Sequence, residues 1–564
     1  MGDAAMLLAG GDASGAVLVC DEGLSFWGGV DPETGRIIDA HHPQAGARVS
    51  GKVLMMPTSR GSCSGSGVLL ELALSGLAPA VLVFAEDEEV LTLGAMVSER
   101  IFERPVTVVR LPADDYAALA RQGEARVFGG RLMAYGLDIA LERAEVDRLE
   151  LSAADRAVLA GESGAAAQTA MEIVCLMGVA QGATALMDVT RGHIDGCILA
   201  HSANLIFAEK MAGMGATVTI PTTINAISVD RENWVSQGVS EDFGSRASRL
   251  ADAYVAMGAR QTFTCAPYLL QDRPRRGECI GWSESNAVIY ANSVLGARTP
   301  KHPDYLDLCI AMTGRAAVSG VYADAGRVAR RVVEVAFPDA ADDAVWPLLG
   351  WLLGKASPDR VPLVVGLEET SPSSDDLKAL CAAFGTTSGA PMLHIRGVTP
   401  ESGLEPVADA DRARIGAAEF AAAWRELNAG EESVELVAIG SPHVSLDEVR
   451  VLAGLLEGQT IREGVEVIVT IGREVLAAAR SEGLVVALEA MGARFLPDIC
   501  WCSITEPLFP SRTKVLVTNS GKYAHYAFGL SGRKVRFGGL KTCVEAAVTG
   551  RVSSAPPAWI GATS

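Results

Sequence analysis

The chain has 564 residues, 49% of them hydrophobic, 21% charged and 5% aromatic, with 59 glycines. One hydrophobic core does not serve that length, so two or three domains are expected, and the composition excludes a disordered or fibrous protein. Lys and Arg number 48 against 68 Asp and Glu, a net charge of −20, and so acidic a surface repels phosphate backbones and anionic bilayers, which argues against nucleic-acid and membrane partners.

From Met1 to Gly15 no cationic stretch precedes an apolar one, and no later run is apolar over the length of a bilayer span, so a cytoplasmic location is expected. Four short apolar runs then read as strands: Ala16 to Cys20, Gly51 to Met56, Ala80 to Phe84 and Pro105 to Arg110. Between the second and third, Gly67 to Leu74 reads as a helix ended by Gly76, and residues 1–147 are taken as a first, small domain. Ser152 is the expected N-cap of the next helix, with Asp155 in its first turn. The region 148–564 continues with an amphipathic helix at Ala165 to Ala180. Strands are expected at Ala216 to Ile220, Val361 to Val365, Ser433 to Ile439, Val465 to Thr470 and Lys514 to Thr518. Helices alternating with such strands predict an α/β protein whose parallel sheets are covered on both faces.

Several segments carry chemistry. Pro57 to Gly67 contains Arg60-Gly61-Ser62-Cys63-Ser64-Gly65-Ser66 and runs into a helix. Such a turn is either a solvated loop or a place where backbone N–H groups at a helix N-terminus favour a carboxylate or an alkoxide. Arg191 to Gly196 holds His193, and Pro221 to Asn225 holds Thr223 and Asn225; both sit where sheet-edge loops collect ligands. A lone histidine is more often structural than catalytic. Thr264-Cys265-Ala266-Pro267-Tyr268 and the stretch from Gly281 to Pro300, with Asn292, Ser293 and Arg298, are poor core material and suit a polar pocket for a small anion beside a metal. Near the end, Thr518-Asn519-Ser520-Gly521-Lys522 follows a strand and groups a carboxamide, a hydroxyl and an ammonium.

The eleven cysteines are odd in number and irregularly spaced, which argues against a disulfide framework. No CxxC pair occurs, so thiols such as Cys265, Cys500 and Cys502 would have to converge in space to hold a metal, and Cys381, in an apolar helix, reads on pattern as a core residue.

Together these segments resemble aconitase X, a branch of the aconitase superfamily, over essentially the whole chain. The motifs are Arg60-Gly61-Ser62, Gly65-Ser66, Ala170-Met171-Glu172, His193-Ile194-Asp195-Gly196, Thr223-Ile224-Asn225, Thr264 to Tyr268, Trp282 to Arg298, Gly397 to Glu401, Pro442-His443 and Thr518 to Lys522. The resemblance implies an aconitase-like fold: a small swivelling domain fused ahead of a large multi-layer α/β/α catalytic region at 148–564. Family members with the two parts in separate subunits look like mevalonate 5-phosphate dehydratases. Fused members, like this chain, look like cis-3-hydroxy-L-proline dehydratases. The implied reaction is loss of water from that hydroxy amino acid to give Δ1-pyrroline-2-carboxylate, with an iron-sulfur cluster as Lewis acid. Cys265 and Cys500 match family thiols that look like cluster ligands. Where two-subunit members have Gly-Cys-Pro-His, this chain has Gly440-Ser441-Pro442-His443, so either Cys381 or Cys502 replaces the lost thiolate or the cluster type differs. Cys381 and a [2Fe-2S] cluster are favoured, with [3Fe-4S] and [4Fe-4S] as alternatives. The resemblance implies a serine base, Ser62 ahead of Ser66, assisted by Arg60, and a substrate carboxylate held by Arg298 or Lys522 with Asn292 and Asn519. His193, Thr223, Asn225, Ser293 and Ser520 complete the expected substrate contacts. Rival readings are mevalonate 5-phosphate dehydration, an iron-responsive RNA-binding protein and an electron carrier; a monomer is the working expectation.

Overall fold

Val53, Leu54, Met55 and Met56 are all fully buried, as are Val81 to Phe84, because a strand covered on both faces needs an unbroken apolar run rather than alternation. The computed structural model describes residues 4–561. The chain divides into two compact units: one of residues 1–222, 252–259 and 301–320, the other of 223–251, 260–300 and 321–564. The boundary expected at residue 147 falls inside the first unit, at the 3-10 turn Val146–Arg148.

The first unit holds a nine-stranded mixed sheet. Ala13–Val19, Val53–Met56, Val81–Phe84 and Thr107–Arg110 run parallel in that order. The helices Gly65–Leu74 and Val90–Phe102 make the crossovers. Glu124–Phe128, Arg131–Ala134 and Leu137–Ala140 extend the sheet as an antiparallel meander. Downstream, Ser152 and Asp155 form a capping box, and Ala165–Ala180 is helical as its pattern predicts. The strand expected at 216–220 does not form. Its N–H groups are spent elsewhere: Val218 donates to the carbonyl of Met257 (2.8 Å) and Thr219 to that of Ala311 (2.9 Å), and the strand begins two residues later at Thr222–Ile224.

The second unit contains two parallel sheets. In the four-stranded one, the order is His394–Ile395, Pro362–Val365, Arg331–Val335, Asp411–Ile415. In the five-stranded one, the order is Ala493–Pro497, Glu466–Ile471, Leu436–Val444, Val515–Thr518, Lys534–Phe537. From its central strand the chain winds first to one edge and then to the other. The carboxyl ends of the two strands flanking that reversal are where doubly wound sheets bind ligands. No helix among the described residues is long and apolar enough to cross a membrane.

Candidate functional site

The reversal lies between Leu436–Val444 and Val515–Thr518, and their carboxyl ends carry Gly440 to His443 and Asn519 to Lys522. Gly440 has φ +103°, and a Cβ there would come within 2.3 Å of the Thr470 carbonyl oxygen, so only glycine fits. Ser520 caps the helix Gly521–Ser531: its Oγ accepts from the Tyr523 N–H (3.0 Å) and donates to the Ser441 carbonyl. That cap fixes the first helical turn, where Lys522 is buried.

Three sulfurs meet in this unit. Cys265 and Cys500 are buried and pack with Ala226, and half-buried Cys502 lies against them. Cys500 is the middle one, within hydrogen-bonding reach of both others: the thiols of Cys265 and then Cys502 hold it well below the ordinary thiol pKa. Cys265 is pushed well above that value by burial and by its bond to Cys500, and Cys502 by its bond to Cys500 and by burial. The backbone N–H of His443 also points at Cys265 Sγ (3.4 Å).

A buried ion pair stands beside the sulfurs, with Lys522 Nζ 2.8 Å from Glu284 Oε1. Burial works against the Lys522 ammonium, but Glu284 first and then the three sulfurs outweigh it and hold its pKa well above the ordinary value. For Glu284 burial pushes upward, and Lys522 with Asn286 more than reverses this, keeping the carboxyl below its usual range. Asn225 Nδ2 donates to the other Glu284 oxygen (3.2 Å), and Asn286 Nδ2 to the Cys265 carbonyl (3.0 Å). Glu284 was not singled out from the sequence. The signal available was physical: a lysine in a small-residue, strand-end segment would be buried, and a buried ammonium demands a carboxylate.

Several other expected residues of this unit have partners within the protein. Cys381 lies inside the helix Ser374–Thr387 in the apolar core, and burial alone raises its thiol pKa. Both amide hydrogens of Asn292 go to carbonyls, of Thr299 (2.7 Å) and Pro391 (2.9 Å). Ser293 Oγ accepts from the Leu393 N–H (3.0 Å). Arg298 donates to the Tyr322 carbonyl (2.8 Å) and pairs with Asp324. Thr223 bridges to Arg260. Asn519 is half-buried after its strand.

In the first unit the serine loop meets the His193 motif. Cys63 Sγ donates to Asp195 Oδ2 (3.3 Å), and one ligand atom each from Cys63, Asp195 and Asp304 lie within 4.8 Å of one another. His193 is buried in the strand Gly192–Ile194 just before Asp195. Ser66 is fully buried, with Oγ 3.1 Å from the Cys63 carbonyl and 3.2 Å from that of Asp304. Ser62 is half-buried, and its Oγ accepts from the Ser64 N–H (3.3 Å). Arg60 is exposed and paired with Asp39 (3.1 Å) and Glu22 (3.5 Å).

The thiol group fits an iron-sulfur cluster. It offers soft sulfur donors from two chain segments, two of the three buried, a main-chain N–H aimed at one sulfur, and a buried cation beside them. Comparison with known proteins agrees. The aconitase X swivel domain model matches residues 4–133, and the first, second and third domain models match 148–325, 329–425 and 434–549. A cis-3-hydroxy-L-proline dehydratase of Pseudomonas aeruginosa is 47% identical, over 98% of this chain and 97% of its own length. The phosphomevalonate dehydratase large subunit of Methanothermobacter thermautotrophicus is 32% identical over 69% of this chain and 96% of its own. The crystal structure of Thermococcus kodakaraensis aconitase X in its holo-form superposes with a TM-score of 0.64 at 28% identity, covering 71% of this chain and all of that one. With a swivel domain followed by three further family domains in a mixed α/β framework, the chain belongs to the aconitase X family, which implies an iron-sulfur cluster.

Proposed function

We propose that this chain is a cytoplasmic hydro-lyase that removes water from cis-3-hydroxy-L-proline to give Δ1-pyrroline-2-carboxylate. The observation that carries this reading is the 47% identity to a cis-3-hydroxy-L-proline dehydratase over nearly the full length of both chains. The phosphomevalonate relative is less similar and leaves about a third of the chain unmatched.

In this reading Cys265, Cys500 and Cys502 hold a cluster, of which [2Fe-2S] is favoured. We prefer Cys502 to Cys381 as the third ligand because its thiol lies within hydrogen-bonding reach of Cys500 and packs against Cys265 and Cys500. When bound, the cluster supplies Lewis-acid polarisation of the substrate hydroxyl. The remaining work falls to side chains and backbone. C2 must lose a proton and C3 a hydroxide; the resulting enamine then tautomerises to the cyclic imine. Ser62 is assigned as the group that takes the C2 proton, because Ser66 is fully buried with its hydroxyl facing two carbonyls. The Ser64 N–H, at the start of the helix Gly65–Leu74, supplies the donor that a serine oxygen needs in order to carry negative charge. Arg60 is assigned to holding that loop through Asp39 and Glu22.

Lys522 and Asn519 are assigned to the substrate carboxylate, with Glu284 and Asn225 fixing the lysine. His193 and Thr223 remain proposed substrate contacts. Ser520 is assigned to the helix cap, and Asn292, Ser293 and Arg298, whose polar atoms have internal partners, to the frame behind the pocket. Domain assignment follows the family: residues 1–147 supply the serine and 148–564 the thiols. The direct test is turnover of cis-3-hydroxy-L-proline by anaerobically purified protein, followed by trapping of the cyclic imine. Turnover of mevalonate 5-phosphate and not of the hydroxyproline would overturn the reading.

A further inference from the structure

The two sulfur-bearing loops share an unusual backbone. Cys265 is preceded by Phe263 at φ 41°, and Cys500 by Asp498 at φ 69°. Each cysteine thus follows, two residues on, a non-glycine residue in the left-handed region, where side chains are disfavoured unless the surroundings over-determine the conformation. Both of these residues are fully buried. One side chain engages both. Arg473 donates Nε to Asp498 Oδ1 (2.6 Å) and an Nη to Asp498 Oδ2 (2.7 Å), a bidentate fork, and its guanidinium lies 5.8 Å from the Phe263 ring centroid. Arg231 lies 5.6 Å from the same ring and donates its backbone N–H to Asp498 Oδ2 (3.2 Å). Gly472, just before Arg473, permits the close approach: a Cβ there would come 3.1 Å from Thr264 Oγ1.

A second tie joins the same loops one residue nearer the sulfurs. The Ile499 carbonyl can only accept, so the His443 imidazole donates through Nε2 (2.8 Å) and uses Nδ1 to accept from the Thr264 hydroxyl (3.1 Å). Lys378 Nζ anchors the His443 carbonyl (3.3 Å). The residues immediately before both cysteines are thereby held by one ring, and the residues two before them by one guanidinium.

We propose that Arg473 is a positioning residue for the metal centre: its fork on Asp498 and its stacking on Phe263 set the spacing between the Cys265 and Cys500 sulfurs. This rests on reading those cysteines as cluster ligands, so the test includes a readout that needs no cluster. Full-length protein freed of iron is titrated with Cd²⁺ and followed by thiolate-to-cadmium charge-transfer absorbance, with Cys500→Ser defining the signal that belongs to this nest. Arg473→Met is expected to weaken Cd²⁺ binding at the nest at least tenfold and to alter the visible circular dichroism of the reconstituted protein. Arg473→Lys, which keeps the charge and loses the fork, should show a smaller loss of the same kind. Glu232→Gln removes only the exposed partner of Arg473 (2.8 Å) and should change neither readout. Unchanged cadmium affinity in Arg473→Met overturns the proposal, as does an equal loss in Glu232→Gln; if Arg473→Met does not fold, unchanged affinity in Arg473→Lys overturns it. Absence of iron in wild-type protein would instead count against the cluster reading, while the cadmium titration still reports sulfur spacing.

Discussion

Cys197 and Cys500 are both buried cysteines in polar surroundings, and those surroundings push them in opposite directions. Cys197, in the first unit, is raised well above the ordinary thiol pKa by burial and then by Asp195, Asp307 and Asp304. Cys500, in the second, is held well below it by two thiol donors and, further down, by Lys522. Burial is common to the two; at Cys500 two thiol donors outweigh it, whereas at Cys197 the neighbouring carboxylates add to it. A carboxylate pocket keeps sulfur protonated and suits proton handling, whereas a nest of thiols with one compensating cation presents sulfur as a soft ligand.

The sharpest way to break the contrast is to exchange the middle sulfur. Cys500→Ser should lose both visible absorbance and turnover to background, read by the spectrum and the dehydration assay on one preparation. Ser62→Ala should separate the two readouts: turnover falls by roughly 10²–10⁴-fold, the usual contribution of a positioned base, with the spectrum intact. Near-normal turnover in that variant would remove Ser62 from the mechanism.

Next in size is the buried pair. Lys522→Met leaves the Glu284 carboxylate without its cation, and breaking a buried pair costs about 3–5 kcal/mol, measurable as a lower urea midpoint. The double variant Lys522→Met/Glu284→Gln should recover part of that loss; an additive result would mean that the two side chains act independently.

The smallest effect concerns the frame of the first unit. Burial lowers the His201 pKa from 6.5 to about 4. The unfolded chain therefore binds a proton that the folded chain refuses, so the stability tied to this neutral ring is whole above pH 6.5 and is lost as pH falls towards 4, by at most about 3 kcal/mol. His201→Gln should flatten the stability profile over that window. An unchanged slope would show that other groups govern acid sensitivity.

Continuous apolar runs made the parallel strands legible, because a strand buried on both faces leaves no other pattern; the helix at Ala165–Ala180 was equally plain from its periodicity. The run at 216–220 misled because β-branched residues also suit an extended segment whose N–H groups serve carbonyls at Met257 and Ala311. At the candidate site, strand-end segments marked where Cys265 and Lys522 would lie. Which of Cys381 and Cys502 lies beside Cys500 was not legible, since it depends on which chain segment the fold brings there. Cys502 reaches it through the short turn Trp501–Ser503, while Cys381 is carried into the apolar core by its helix. Glu284 and Arg473 were hidden for the same reason: their partners, Lys522 and Asp498, are distant in sequence.

Iron and acid-labile sulfide, counted per chain in anaerobically reconstituted Cys502→Ser and Cys381→Ser, test the thiol nest most directly. Loss of both in Cys502→Ser with wild-type content in Cys381→Ser is the expected result. Full content in Cys502→Ser with loss in Cys381→Ser would contradict it.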